Sequence, residues 1–264
     1  MDRFWLGQCT PTNRLKYPRH RDIHILPQHI VKIKPQTGGG SSASEDEDDA
    51  ELTRLARGYE NELLALKLVR AYTSVPVPRV IHEGDGFVVF ERLQGQCGER
   101  LDIWNLVSPE NKELIKLQVR GWIEQMARRI LNSSGQIRSL VPSGELLHTM
   151  FAEQNPGPFA STVLFLNAYN GVSGMPQLHK IKTRSHAVFS HMDLSLANVI
   201  IHPDLHKAIG LVNWEQACFF PEGGRSVHKS YRHGKGWESL FDSLDFPVLE
   251  TTSRWDDNLF SDED

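Results

Sequence analysis

The stretch SHMDLSLANVIIHPDLHKAIGLVNWEQA, Ser190 to Ala217, holds the residue types best suited to chemistry. It runs His191-x-Asp193, places Asn198 five residues after that aspartate, and ends on Asn213-Trp214-Glu215. Two apolar runs, NVIIH and KAIGLVN, are separated by the turn-forming PDLH, a pattern that predicts a tight hairpin. The hairpin sets Asp193 and Asn198 before its first strand and Asn213 at the end of its second, so that all three face one cleft. Phosphoryl transfer needs such a set: a carboxylate to orient the attacking hydroxyl, an amide and a carboxylate to hold magnesium, and a lysine steadied by a helix glutamate for the phosphates. Lys32 and Glu62 are the candidates for the last two places.

The elements that must position them can be read from periodicity and breakers. Ile30, Val31, Lys32 and Ile33 form a short β-prone run closed by Pro35. A helix is predicted from about Ala50 to Tyr72, with Leu55, Tyr59, Leu66 and Val69 on one stripe. Glu62 falls on the same stripe, and burying its carboxylate unpaired costs several kcal/mol. The stripe therefore calls for a cation, for which Lys32 is the natural candidate; the alternative is that Glu62 lies at the stripe's edge and reaches water. Between strand and helix, QTGGGSSASEDEDDA has too little apolar surface to fold, and a disordered acidic loop is expected over about 36–50. It lacks the Gly-Lys-Ser/Thr ending of a phosphate loop, and its acids repel phosphate.

Further on, the prolines of TSVPVPRV enforce an extended chain. VIHEGDGFVVFERLQG reads as a hairpin, with strands at Val80–His82 and Phe87–Glu91. Ser108-Pro109-Glu110 starts a long helix whose Leu114, Ile115, Val119, Trp122, Ile123, Met126 and Ile130 form a buried face. Gln154 to Thr162 is a loop leading into a helix that ends near Tyr169, NGVSGMPQ is a connection, and Trp237 to Glu250 is expected to pack as one or two short helices.

With 264 residues, 39% hydrophobic, the chain is long enough for one sizeable core or two small lobes. Six of its 33 acidic residues fall in Glu45 to Glu51, and without them the charges nearly balance, which argues against a nucleic-acid surface. Three cysteines, Cys9, Cys97 and Cys218, stand too far apart for a zinc or disulfide framework and suit a reducing compartment. Neither an apolar leader nor a stretch long enough to span a membrane is present, so a soluble, cytoplasmic protein is expected.

The ordered motifs resemble the aminoglycoside phosphotransferase and choline kinase-like family, relatives of protein kinases, and in particular its fungal branch. HMDLSLANVII and GLVNWEQACFFP are similar to that family's catalytic stretch, with the interval from Asn198 to Asn213 preserved. NELLALKLVRAYTSVPVPRV resembles its glutamate helix and Pro-x-Pro strand, LVSPENKELIKLQVRGWIEQMARRI its first large-lobe helices, and GPFASTVLFLNAY its Gly-Pro-Phe insert. The resemblance implies an α+β, protein-kinase-like bilobal fold, with a reduced N-terminal β lobe over 1–91 and a mainly helical C-terminal lobe over 92–264 carrying the catalytic loop 190–217. It implies ATP and magnesium as cofactors and a small-molecule hydroxyl as acceptor, with no nucleic-acid or membrane partner. Lys32 would hold nucleotide phosphates and Glu62 would pair with it. The backbone near Glu91, Arg92 and Leu93 would receive adenine. Asp193 would be the catalytic base, with His191 supporting the loop, and Asn198 and the Asn213 position would face the metal.

Three features depart from the family pattern. Asn213 stands where the family has a magnesium-binding aspartate, and an amide offers a hard dication one oxygen and no charge. Glu215 restores the face but not the distance if the segment is extended. Only 31 residues precede Lys32, without Gly-x-Gly, so the strand-loop-strand over the phosphates is expected to be short or absent. Met192 replaces a glycine, which is harmless at negative φ and strained at positive φ. These departures motivate the alternative of a catalytically impaired pseudokinase that binds or scaffolds a protein partner. Other constellations are weaker. His202, Asp204 and His206 lie around Pro203 and read as a turn rather than a helical metal clip, Ser173 lacks the Gly-x-Ser-x-Gly elbow, and the basic stretch Arg225 to Lys235 reads as a solvated face.

Overall fold

Lys32 owes its position to strand alternation in an antiparallel sheet of β1 (Asp22–Ile25), β2 (His29–Ile33), β3 (Val80–Gly84) and β4 (Phe87–Glu91), ordered β1-β2-β4-β3. In β2, Val31 packs with Trp5, Leu26, Phe87 and Val89 on one face. Successive side chains point to opposite faces, so Lys32 emerges on the other. The expected hairpin is the β3–β4 pair, and Lys32 lies opposite Val88 in β4. The computed structural model describes residues 1–15, 22–35, 45–98, 103–148, 151, 156–169 and 181–222. The Gly/Ser tract 36–44, the connection NGVSGMPQ, the basic stretch Arg225 to Lys235 and the segment Trp237 to Glu250 lie outside these residues.

Ahead of β1, the Leu15 N–H donates to the Ile23 carbonyl (2.8 Å) and the Ile25 N–H to that of Asn13 (2.8 Å). A strand-like piece at 13–15 therefore pairs with β1, and the expected strand-loop-strand is short rather than absent. Its connection, 16–21, is not among the described residues. A short helix, α1 (Asp2–Leu6), seats Trp5 against this sheet.

Helix α2 spans Glu45–Tyr72. It starts earlier than expected, because the acidic run 45–50 is helical rather than looped. Carboxylates in the first turns of a helix are favoured by the partial positive charge of its unsatisfied N–H groups. Downstream, Leu55, Glu62, Leu66 and Val69 are buried along the stripe, and Tyr59 is half-buried beside it. Helix α4 (Pro109–Arg129) is capped by the Ser108 hydroxyl, which accepts from the Asn111 N–H (3.3 Å). Its buried face holds Ile115, Val119, Trp122, Ile123 and Met126, but Leu114 is 56% exposed and does not belong to it. Residues one apart sit about 100° apart around a helix, so the face through Ile115 leaves its neighbour outside.

Two three-stranded antiparallel sheets complete the described fold. One joins β6 (Arg138–Ser139), β10 (Cys218–Pro221) and β7 (Ala187–Ser190) in the order β6-β10-β7; the other joins β5 (Gln96–Cys97), β8 (Val199–Ile201) and β9 (Ala208–Leu211) in the order β5-β8-β9. Helix α3 (Ile103–Leu106) packs Trp104 into the main core with α4. Helix α5 (Thr162–Ala168) contributes Phe165 to a second, aromatic core with Phe151, Phe159, Tyr169 and Phe220. The first sheet's long helix and the later sheets are joined by Asn61, which is fully buried. Its amide donates to the carbonyls of Glu215 (3.0 Å) and Ala217 (2.8 Å) and accepts from the Leu140 N–H (2.8 Å). Asn61→Ala leaves three buried backbone groups without that partner, at about 1 kcal/mol or more each. Chemical denaturation of the variant should show a loss of roughly 3 kcal/mol.

Candidate functional site

The Lys32 ammonium contacts both oxygens of the Glu62 carboxylate, at 2.9 and 2.8 Å, and both side chains are buried. The alternative of a water-facing Glu62 is thereby overturned. The Trp214 N–H donates to Glu62 Oε1 (3.3 Å), and the face of Phe90 lies 5.6 Å from Lys32 Nζ. Burial drives the Glu62 carboxyl above its ordinary pKa; the lysine charge opposes this and the Glu215 carboxylate adds to it. Glu215 Oε1 stands 3.6 Å from Lys32 Nζ, closer than an extended chain allows. The chain is not extended there: Asn213 has φ 64 and the Ala217 N–H closes a turn onto the Trp214 carbonyl (3.0 Å). The turn swings Glu215 back to the lysine as a second carboxylate, which the reading of 213–215 as a strand end missed.

The hairpin expected around PDLH forms from β8 and β9, with Val199 opposite Leu211. It brings Asn198 and Asn213 together. Asn213 Nδ2 donates to Asn198 Oδ1 (2.6 Å), and Lys32 Nζ donates to Asn213 Oδ1 (3.2 Å). Asn198 Nδ2 in turn donates to Asp193 Oδ2 (2.8 Å) and to the Asp193 carbonyl (2.6 Å). A single hydrogen-bonded series thus runs from Glu62 through Lys32, Asn213 and Asn198 to Asp193.

His191 is buried under this series, 4.4 Å from the Trp214 ring, centroid to centroid. Its Nδ1 accepts from the Asp193 N–H (3.3 Å), which leaves the proton on Nε2 to be donated to the Val212 carbonyl (3.0 Å). Burial holds its pKa below the ordinary value. A neutral ring with both nitrogens engaged supports the loop and is not placed to carry protons. Met192, next along, has φ 65. That conformation costs a side chain such as methionine about 1–2 kcal/mol. Burial of the thioether side chain among Phe165, Phe220 and their neighbours offsets it.

An open cleft of about 1010 Å³ runs beside the lysine. Lys32, Glu62 and Asn213 line its polar end; Ile23, Ile30, Phe90, Ile200 and Val212 line its apolar walls, and Glu91, Arg92 and Leu93 its edge. At that edge the Arg92 N–H donates to the Gln28 carbonyl (2.9 Å) and the Glu91 N–H to that of Arg79 (2.8 Å). Leu93 reaches β9 because residue 210 is glycine: a Cβ there would lie 2.4 Å from Leu93 Cδ1. Asp193 is not among the cleft-lining residues and joins the cluster through Asn198.

Away from the cleft, the connection from β8 to β9 draws potential ligand atoms of His202, Asp204 and His206 within 4.8 Å of one another, largely at the surface. Cys9, Cys97 and Cys218 form no disulfide with one another. Among the described residues no helix is long and apolar enough to cross a membrane.

Three solved structures share this architecture over most of the chain. They are the GDP and kanamycin complex of APH(2″)-IIIa (12% identity, TM-score 0.54), the gentamicin complex of APH(2″)-IIa (12%, 0.53) and a GDP complex of a variant aminoglycoside 2′-phosphotransferase IIIa (16%, 0.52). The similarity covers 86, 86 and 88% of this chain and 74% of each of the others. The fold is that of the aminoglycoside phosphotransferases. No protein-family model matches the chain, and no curated protein matches it by sequence.

Within this phosphotransferase fold the lysine–glutamate pair makes a sharp stability prediction. Lys32→Met strands a buried carboxylate and should cost about 3–5 kcal/mol, whereas Lys32→Met with Glu62→Leu should recover most of that loss in equilibrium unfolding. A pH dependence follows from the half-buried His148. Burial lowers the pKa of His148 from 6.5 to about 4, with the Arg54 charge contributing. The unfolded chain takes up this proton near pH 6.5 and the folded chain does not, so the histidine's contribution is whole above about pH 6.5 and declines toward pH 4. Glu62, with its raised pKa, slopes the opposite way, so the profile is read as a difference. Between pH 7 and 5 the melting temperature of His148→Gln should fall less than that of the parent chain.

Proposed function

We propose that the chain is a phosphotransferase of the aminoglycoside phosphotransferase type, which takes ATP in the cleft and passes a phosphoryl group to a hydroxyl of a small molecule. The observation that carries this reading is the hydrogen-bonded series that starts at the buried Lys32–Glu62 pair and Asn213 in the cleft and continues through Asn198 to Asp193. The GDP, kanamycin and gentamicin bound by the solved structures support a nucleotide and a hydroxyl-bearing small molecule as ligand classes.

In this reading residues 1–91 and 92–264 are two lobes. The apolar walls fit a nucleobase, the Glu91–Leu93 edge receives it through backbone groups, and Lys32 faces the phosphates. Asp193 orients the acceptor hydroxyl: its oxygen bonds to the terminal phosphorus, the bond to the bridging oxygen breaks, ADP leaves, and the hydroxyl proton passes to Asp193. Asn198 holds Asp193 in place, and His191 holds the loop. Magnesium, when bound in such a site, neutralises phosphate charge. The residues here do not fit it well: the two metal-facing positions are neutral amides, and the side-chain oxygen of Asn198 already accepts from Asn213.

That substitution favours a second reading, a pseudokinase that binds nucleotide or a protein partner without transfer. The two part on turnover. ATP consumption against a panel of hydroxyl compounds, aminoglycosides included, should be lost in Asp193→Ala, with ATP binding retained. Binding without turnover against any acceptor selects the second reading, and no thermal shift with ATP removes the nucleotide from both.

A further inference from the structure

We propose that the amide of Asn213 takes the place of a divalent cation in this site, so that the protein holds no metal between Asn198 and Asn213 and nucleotide binding there is metal-independent. The polarity of the hydrogen-bonded series carries the inference. An ammonium only donates and a carboxylate only accepts, so the two ends fix every amide between them. Lys32 Nζ lies 3.2 Å from one terminal atom of Asn213, which must then be the oxygen. The Asn213 nitrogen therefore faces Asn198 at 2.6 Å, and the atom it meets must be the Asn198 oxygen. The Asn198 nitrogen in turn faces the Asp193 carboxylate and carbonyl, both acceptors. Each link agrees with its neighbours, and the N–H of Asn213 puts positive charge against the Asn198 oxygen where a metal ligand would need a cation.

A carboxylate at 213 reverses this logic. Its oxygen would meet the Asn198 oxygen, acceptor against acceptor. Turning Asn198 over would only move the conflict, setting its oxygen against two acceptors of Asp193. A cation between the two oxygens is the arrangement that satisfies a carboxylate, and an amide needs none. Asn213 has little freedom to turn aside, since Val212 is tied to His191 and Trp214 to Glu62.

The nucleotide part of this proposal rests on the reading of the cleft given above; the metal part does not. Manganese added in excess to the full chain should leave the amide resonances of Asn198 and Asn213 unbroadened, and in Asn213→Asp broadening should appear, centred on those residues. Calorimetry with ATP should give affinities equal within about twofold in EDTA and in magnesium. Site-centred broadening in the parent chain overturns the proposal, as does magnesium tightening ATP binding by about tenfold or more. Should ATP bind in neither buffer, the cleft reading fails and the manganese result alone decides. Should the variant not fold, the parent-chain measurements decide.

Discussion

Burying a carboxylate and an ammonium together is costly, and the cost is recovered only where geometry is close and the remaining polar atoms are served. Lys32 and Glu62 meet those terms. The lysine comes from the middle of a short strand whose other face is fully committed to packing. The glutamate comes from a helix stripe that is otherwise apolar. Neither side chain has a tolerable alternative inside the fold, so the pair sets how the first sheet and helix α2 face each other. Everything at the cleft is placed relative to that contact: Asn213 because it accepts from the lysine, Trp214 because its N–H reaches the glutamate, Asn198 and Asp193 because they continue the series.

Two residues beside the series have positive φ and are tolerated for different reasons. Asn213 and Met192 both occupy the left-handed region, one on each side of the hairpin. Asparagine is among the residues that enter this region readily. Methionine is not, and it is held by an aromatic core whose packing has nothing to do with the cleft. The strain at Met192 and the order of the loop that follows it are therefore coupled to the second core through Phe165 and Phe220.

Much of this was legible in the sequence because it rests on period and sign. The stripe through Leu55, Leu66 and Val69 showed that Glu62 would be carried inward, and the electrostatic penalty then called for Lys32. The β8–β9 hairpin was readable from its apolar runs and the prolyl turn between them. What was not legible depends on backbone conformation that no period records. Glu215 was misplaced because the left-handed residue before it converts a strand end into a turn. Asn61 carried no signal at all, since an asparagine in an exposed-looking helix position gives no hint that three distant backbone groups wait for it. The acidic run 45–50 misled by composition, which measures solubility and not whether a helix start welcomes negative charge.

The adjacency of Asn61 and Glu62 has a mechanical consequence. Consecutive residues of one helix grip the same stretch of chain, 214–217, one through its amide and the other through its carboxylate. Sliding or rolling α2 away from the cleft would sever all these contacts in the same movement. The helix is in effect riveted, and the lysine it steadies is in register before any ligand arrives. Swinging this helix in and out would have to break the contacts of both residues together.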